Sequence, residues 1–181
     1  MLAYAAGRAP AFDTLYARHK GPLYRFLLRH CGNAGVAEEL FQELWMSVVR
    51  ARATYAPTAK FTTWIYTLAR HRLIDHWRAH GQVGFVSIDD ESEDAQARVA
   101  SIAAPRVDEP ETRVASHEIS RGLASALAEL PALQREAFLL QQEAGMSLAE
   151  IAAITGAGEE TVKSRLRYAT ARLRSALEPL R

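Results

Sequence analysis

Apolar residues recur every three or four positions through most of this chain, and no segment keeps the period of two that a strand requires. The pattern predicts an all-α protein. It begins with Phe12, Leu15 and Tyr16 and is expected to break at Gly21-Pro22. It resumes with Leu23, Phe26 and Leu27, and Cys31-Gly32-Asn33 ends it. A second helix from Ala34 sets Val36, Leu40, Phe41, Leu44, Trp45 and Val48 on one face. Residues 53–59 hold Pro57 and predict a turn. A third helix carries Phe61, Ile65, Leu68, Ala69 and Leu73 on its stripe, with Trp64 beside them. Those positions predict core packing for Phe61 and Trp64, and a surface place for Tyr66, which lies off the stripe.

The pattern then lapses. Between about residues 81 and 113 the chain runs through SIDDESEDAQ and AAPRVDEP, acidic, proline-bearing and poor in large apolar groups. Such a stretch cannot bury enough surface to offset its conformational entropy and predicts a flexible acidic linker. Helical pattern returns near Val114 with Ile119, Leu123, Ala126, Leu127 and Leu130. Pro131 opens a helix with Leu133, Ala137, Phe138 and Leu140 that Gly145 closes. Two small helical domains follow, over residues 1–80 and 114–181, joined by the linker at 81–113.

Charge follows the same division. Residues 11–80 carry ten Lys/Arg against five Asp/Glu, residues 81–120 three against nine, and residues 121–181 eight against seven. Two mildly basic blocks flank an acidic one, which the net charge of +1 conceals. The lone Cys31 excludes an intrachain disulfide, fits a reducing cytoplasm and is expected as a small apolar packing residue. No apolar run suits a membrane span, and the N-terminus lacks the basic start of a signal peptide.

The most specific local signal is SLAEIAAITGAGEETVKSRLRYATARLR at residues 147–174. Ser147 and Glu150 form a capping box, and Gly156 supplies the positive φ of a tight inter-helix turn. Glu159 and Glu160 suit the N-terminus of the next helix, which hides Val162, Leu166, Ala169 and Leu173. Thr161, Lys163, Ser164, Arg165 and Arg167 stay on or near its outer face. This is the layout of a helix-turn-helix, with groups for base edges near the helix start and cations for phosphates. A plain helical hairpin explains fewer of these features together.

With the aromatic-basic helix upstream, this C-terminal run resembles region 4 of the extracytoplasmic-function (ECF) sigma factors, the smallest members of the bacterial sigma-70 family. Residues 12–80 resemble region 2, chiefly through AEELFQELW (37–45) and KFTTWIYTLARHRLIDHWR (60–78). The resemblance implies a non-enzymatic, cofactor-free specificity factor for core RNA polymerase. Region 4 would read a −35 element as duplex through Thr161, Lys163, Ser164, Arg165 and Arg167. Region 2 would hold the non-template strand of an opened −10 element through Lys60, Phe61, Trp64, Tyr66, Arg70, His71 and Arg78, with Arg72 and Trp77 adding charge and a further ring. Similar proteins usually carry Asn where His71 stands, which bears on base preference. Glu39, Gln42, Glu43 and Met46 would dock on the β′ clamp helices of the polymerase, with Glu38 on the same polar face. The β flap, promoter DNA and an anti-sigma factor are the other implied partners, in the cytoplasm and without membrane insertion. In similar proteins the linker threads toward the polymerase active centre.

Three other classes compete. Transcription regulators ending in a helix-turn-helix place strand-rich domains before it, unlike this chain. A sigma-mimic adaptor would not need a basic recognition helix. A metal-dependent hydrolase using His71, His76 and His80 lacks further ligands at motif spacing, and no phosphate loop or nucleophile elbow occurs.

Overall fold

The computed structural model describes residues 1–81 and 122–178, and every regular element among them is helical. In chain order these are α1 (Leu2–Ala5), α2 (Pro10–Cys31), α3 (Ala34–Arg50), a 3-10 turn (Ala51–Ala53), α4 (Phe61–Ala79), α5 (residues 122–128), α6 (Ala132–Ala144), α7 (Leu148–Thr155) and α8 (Glu159–Leu177). The expected linker at 81–113, apart from Gly81, lies outside the described residues, as do Val114 and Ile119.

The N-terminal unit packs α2, α3 and α4 against one another. Contrary to the expected break, α2 runs unbroken through Gly21-Pro22. Proline inside a helix removes one hydrogen bond and crowds the carbonyl four residues back, at a cost of about 3 kcal/mol. Leu15 before it, and Leu23, Phe26 and Leu27 after it, are buried on one side of the same helix. Each contributes about 1.5–3 kcal/mol of burial, so packing outweighs the local penalty. The helix ends where Gly32 turns to φ 64° and its N–H donates to the Leu28 carbonyl. Asn33 then caps α3, its Oδ1 accepting from the Val36 N–H at 3.1 Å. The short α1 escapes the sequence pattern because its anchor is remote. Arg52 donates from Nε to the Tyr4 carbonyl at 3.0 Å and lays its guanidinium over the Tyr4 ring.

In the C-terminal unit α6 and α7 both pack on α8. Gly145 ends α6 with φ 63°, and the capping box starts α7 as expected. The Ser147 hydroxyl accepts from the Glu150 N–H at 3.3 Å while the Glu150 carboxylate accepts from the Ser147 N–H at 2.9 Å. Gly156 ends α7 with φ 70°, and Val162, Leu166, Ala169 and Leu173 of α8 are all buried. The two units meet along one seam, α2 against α6 and α4 against α6 and α7.

A Cβ on Gly156 would meet nothing within 4 Å, so only its left-handed backbone resists substitution. Gly156→Ala is expected to lower stability by about 1 kcal/mol, and Gly156→Asn by less. Ser147→Ala is expected to cost about 1 kcal/mol through loss of the cap. Urea unfolding midpoints check all three.

Candidate nucleic-acid interface

Helix geometry sorts the candidate residues before any ligand is considered. At 3.6 residues per turn, the arc of α8 opposite its buried stripe runs from Lys163 through Arg167 and Ser164 to Thr161, with Arg165 nearer the buried side; Thr161, Lys163 and Arg167 are exposed, and Ser164 and Arg165 half-buried. Lys163 Nζ lies 3.5 Å from the Glu160 carboxylate, and the Arg167 guanidinium rests over the Tyr168 ring at 5.0 Å. Tyr168, 51% exposed, adds an aromatic surface to this face that the sequence reading did not single out. Arg165 lies close enough to Glu136 of α6 to stabilise that carboxylate's charge.

On the N-terminal unit, Lys60, Trp64, His71 and Arg78 fall along one line of α4, spaced by four, seven and seven residues. His71 and Arg78 are exposed; Phe61 and Trp64 are half-buried, not core. Their rings join Tyr55 from the preceding turn, at 6.4 and 5.1 Å between centroids, and His19 stands 5.1 Å from Phe61. Tyr55 went unassigned in the sequence reading because it sits in an irregular turn, where periodicity carries no information.

Tyr66 corrects an expectation in the other direction. It is buried rather than at the surface, its ring edge-on to Phe26 at 5.1 Å. Burial, and after it the charge of Glu143, pushes its phenol above the ordinary value. Trp77 is likewise a core ring, beside His30. Tyr66 and Arg70, one turn apart, both face the seam with the C-terminal unit. Arg70 donates from Nε to the Glu136 carboxylate at 2.8 Å, and Glu136 has no exposed surface. Burial raises the Glu136 pKa to about 7, against the opposing pull of Arg70 and then Arg165. Lys60 Nζ lies 3.0 Å from the Glu150 carboxylate.

The polar face of α3 exposes Glu39, Gln42, Glu43 and Met46 in one row, and Val49 extends it. Met46 is 51% exposed, an apolar group among carboxylates on an otherwise solvated helix. Arg72 does not join the α4 line. It reaches back to α3, donating to the Ser47 hydroxyl at 3.0 Å and standing 3.7 Å from Glu43.

Cys31 is half-buried, and burial lifts its thiol to about 12, which suits the expected packing role. The His76 and His80 rings lie 4.2 Å apart, tilted by 33°. No group of three or more His, Cys, Asp or Glu that could hold a metal occurs among the described residues. No helix among them is long and apolar enough to cross a membrane.

Residues 15–83 match the family described as Sigma-70 region 2, and residues 120–173 the family described as Sigma-70, region 4. The chain is 32% identical over 175 residues to the RNA polymerase sigma factor CarQ of Myxococcus xanthus, covering 96% of this chain and 93% of that one. It is 33% identical over 178 residues to the ECF RNA polymerase sigma factor SigL of Mycobacterium tuberculosis, covering 97% and 94%. Its fold is similar to that of the sigma factor RpoE, in a complex with the anti-sigma factor NepR from Bartonella quintana, with a TM-score of 0.67 at 23% identity over 93% of this chain and 97% of that one. It is also similar to CnrH, in complex with the cytosolic domain of CnrY, with a TM-score of 0.67 at 22% identity over 98% and 94%.

Glu136 gives the fold a pH dependence. Its folded pKa of about 7 lies above the ordinary 4.5, so the folded chain keeps this proton after the unfolded chain has lost it. For this residue, stability falls as pH rises from about 4.5 to about 7 and is level on either side. Glu136→Gln is expected to remove that decline. Urea midpoints of both proteins across this range check it; a difference between them that ignores pH would contradict the assignment.

Proposed function

This chain belongs to the ECF group of the sigma-70 family, and on that premise we propose how its two helical units divide the work. The protein directs core RNA polymerase to promoters and assists promoter melting; it is not an enzyme. Residues 114–181 serve the −35 element, with Thr161, Lys163, Ser164, Arg165 and Arg167 against duplex DNA. Exposed Thr161, Lys163 and Arg167 on a helix that follows a tight glycine turn support this assignment.

Residues 1–80 hold the separated −10 strand. The observation that carries this reading is the cluster of half-buried rings, Phe61, Trp64 and Tyr55, beside Lys60 and in line with His71 and Arg78. Unpaired bases need aromatic faces, and their backbone needs cations spaced along it. Arg70 and Tyr66 belong to the same site on its seam side. Glu39, Gln42, Glu43 and Met46 dock on the β′ clamp helices, where a carboxylate row with one apolar knob fits a helical partner surface. The β flap takes the C-terminal unit. The protein acts in the cytoplasm, where polymerase and promoter are found, and an anti-sigma factor is proposed to hold it inactive; the similar sigma factor RpoE forms a complex with the anti-sigma factor NepR.

Run-off transcription with core polymerase and genomic fragments, followed by start-site mapping, tests the function as a whole. Within it, Arg167→Ala is expected to reduce promoter-dependent initiation about fivefold or more while polymerase binding stays unchanged, the loss of one contact worth about 1–3 kcal/mol. Glu43→Ala is expected to weaken polymerase binding and leave the −35 contact intact. Identical defects from the two changes would overturn the division. Because each unit is small and neither is strongly basic, the isolated chain is expected to bind promoter duplex feebly; tight, sequence-specific binding in a gel-shift assay would contradict that.

A further inference from the structure

The ion pairs across the seam between the two units share one polarity, while the buried Arg135 of the C-terminal unit acts on His30 and Cys31 of α2. Four ion pairs cross the seam among the described residues, and in each the cation belongs to the N-terminal unit and the carboxylate to the C-terminal one. Arg25 Nε stands 2.9 Å from Glu143, and Arg29 pairs with the other oxygen of the same carboxylate. Arg70 pairs with Glu136 at 2.8 Å and Lys60 with Glu150 at 3.0 Å. Glu136 and Glu143 lie two turns apart on one face of α6, about 10 Å along its axis. That face also carries Arg135, which is 6% exposed. A face meant for permanent burial would be apolar, since charged side chains are rarely buried and buried pairs add little net stability. Carboxylates on such a face suit a surface that would meet water if the units parted.

Two of the four cations, Lys60 and Arg70, are ones assigned above to the −10 strand. Arg25 and Arg29 are one turn apart on α2 and have no assigned role. Tyr66 ties the two sets together: its ring lies against Phe26, and Glu143 and Arg25 both act on its hydroxyl.

We propose that Arg25, Arg29, Lys60 and Arg70 form one patch for the phosphodiester backbone of single-stranded DNA, and that Glu143, Glu136 and Glu150 occupy this patch in the closed chain. Closure and strand capture then exclude each other. The C-terminal unit presents carboxylates where phosphates would lie, and separation of the units uncovers Tyr66 and all four cations together. This deepens, and rests on, the assignment of the N-terminal unit to the open strand. The pair at Glu136 contributes least to closure, since burial already works against its charge. The outer pairs at Glu143 and Glu150 are the ones to remove.

The test uses the full chain with a fluorescein-labelled single-stranded oligodeoxynucleotide, read by anisotropy, and small-angle scattering for the radius of gyration. Glu143→Gln with Glu150→Gln neutralises the outer pairs, and Gln at 150 can still complete the capping box. This variant is expected to have a larger radius of gyration and to bind the oligonucleotide about tenfold tighter, as relief of a closed state populated at about nine parts in ten would give. Glu129→Gln with Glu178→Gln makes the same charge change away from the seam and is expected to do neither. Adding Arg25→Ala and Arg29→Ala to the first variant is expected to abolish the gain while the chain stays open.

A chain that opens without binding better, a gain that survives loss of both arginines, or no change in either readout would each overturn the proposal. A measurement without substitutions guards against misfolded variants: saturating oligonucleotide is expected to enlarge the unaltered chain, and an unchanged radius of gyration would also overturn it. Neither assay contains polymerase. Failure of promoter-dependent run-off would thus count against the sigma-factor division of labour and leave the covered patch standing.

Discussion

A carboxylate without exposed surface, Glu136, lies at the point where the two helical units meet. It accepts from Arg70 of α4 on one side and feels Arg165 of α8 on the other, so one group touches both candidate DNA-binding helices. Its neighbours Ala137, Leu139 and Leu140 are fully buried. The helix that carries it, α6, therefore has two characters. Apolar side chains hold the C-terminal unit together, and charged ones face the other unit. The seam is in this sense a surface folded against a surface, not a continuation of a core.

That distinction explains what the sequence could and could not reveal. Elements whose partners are close in the chain were readable: the Ser147–Glu150 box, the Gly145 and Gly156 turns, and the buried side of α8 all follow from local patterns. Where a remote partner decides, local pattern misleads. Helix α4 is covered on two sides, by α2 and α3 and again by α6 and α7. A single apolar stripe therefore puts Tyr66 outside, whereas in the fold it is buried and Trp64 is the half-exposed ring. Pro22 misleads similarly, because the side chains that hold α2 continuous are judged only in three dimensions. Lys60 and Arg70 were readable as cations of a basic helix, but Arg25 and Arg29 sit in no motif, and only Glu143 draws attention to them.

The rest of the candidate site divides by rigidity. The outer face of α8 is displayed by a helix whose inner positions are all buried, so its geometry is set before DNA arrives. The ring cluster at Tyr55, Phe61 and Trp64 straddles an irregular turn and a helix start, a place able to adapt to an extruded base. Under the proposed division of labour, a fixed reader would serve duplex and an adjustable one single strands. Duplex DNA presents regular edges, while separated strands have no regular shape to meet.

The state of the single thiol sets a limit on how such a protein can take part in signalling. Burial pushes the Cys31 thiol up to about 12, far from the range in which a cysteine reacts as thiolate. It is also the sole cysteine in the sequence, so no second thiol stands ready to close a bond with it. Cys31 is therefore poorly suited to answer peroxide or disulfide stress. A thiol-based signal would reach this protein through a binding surface more readily than through Cys31.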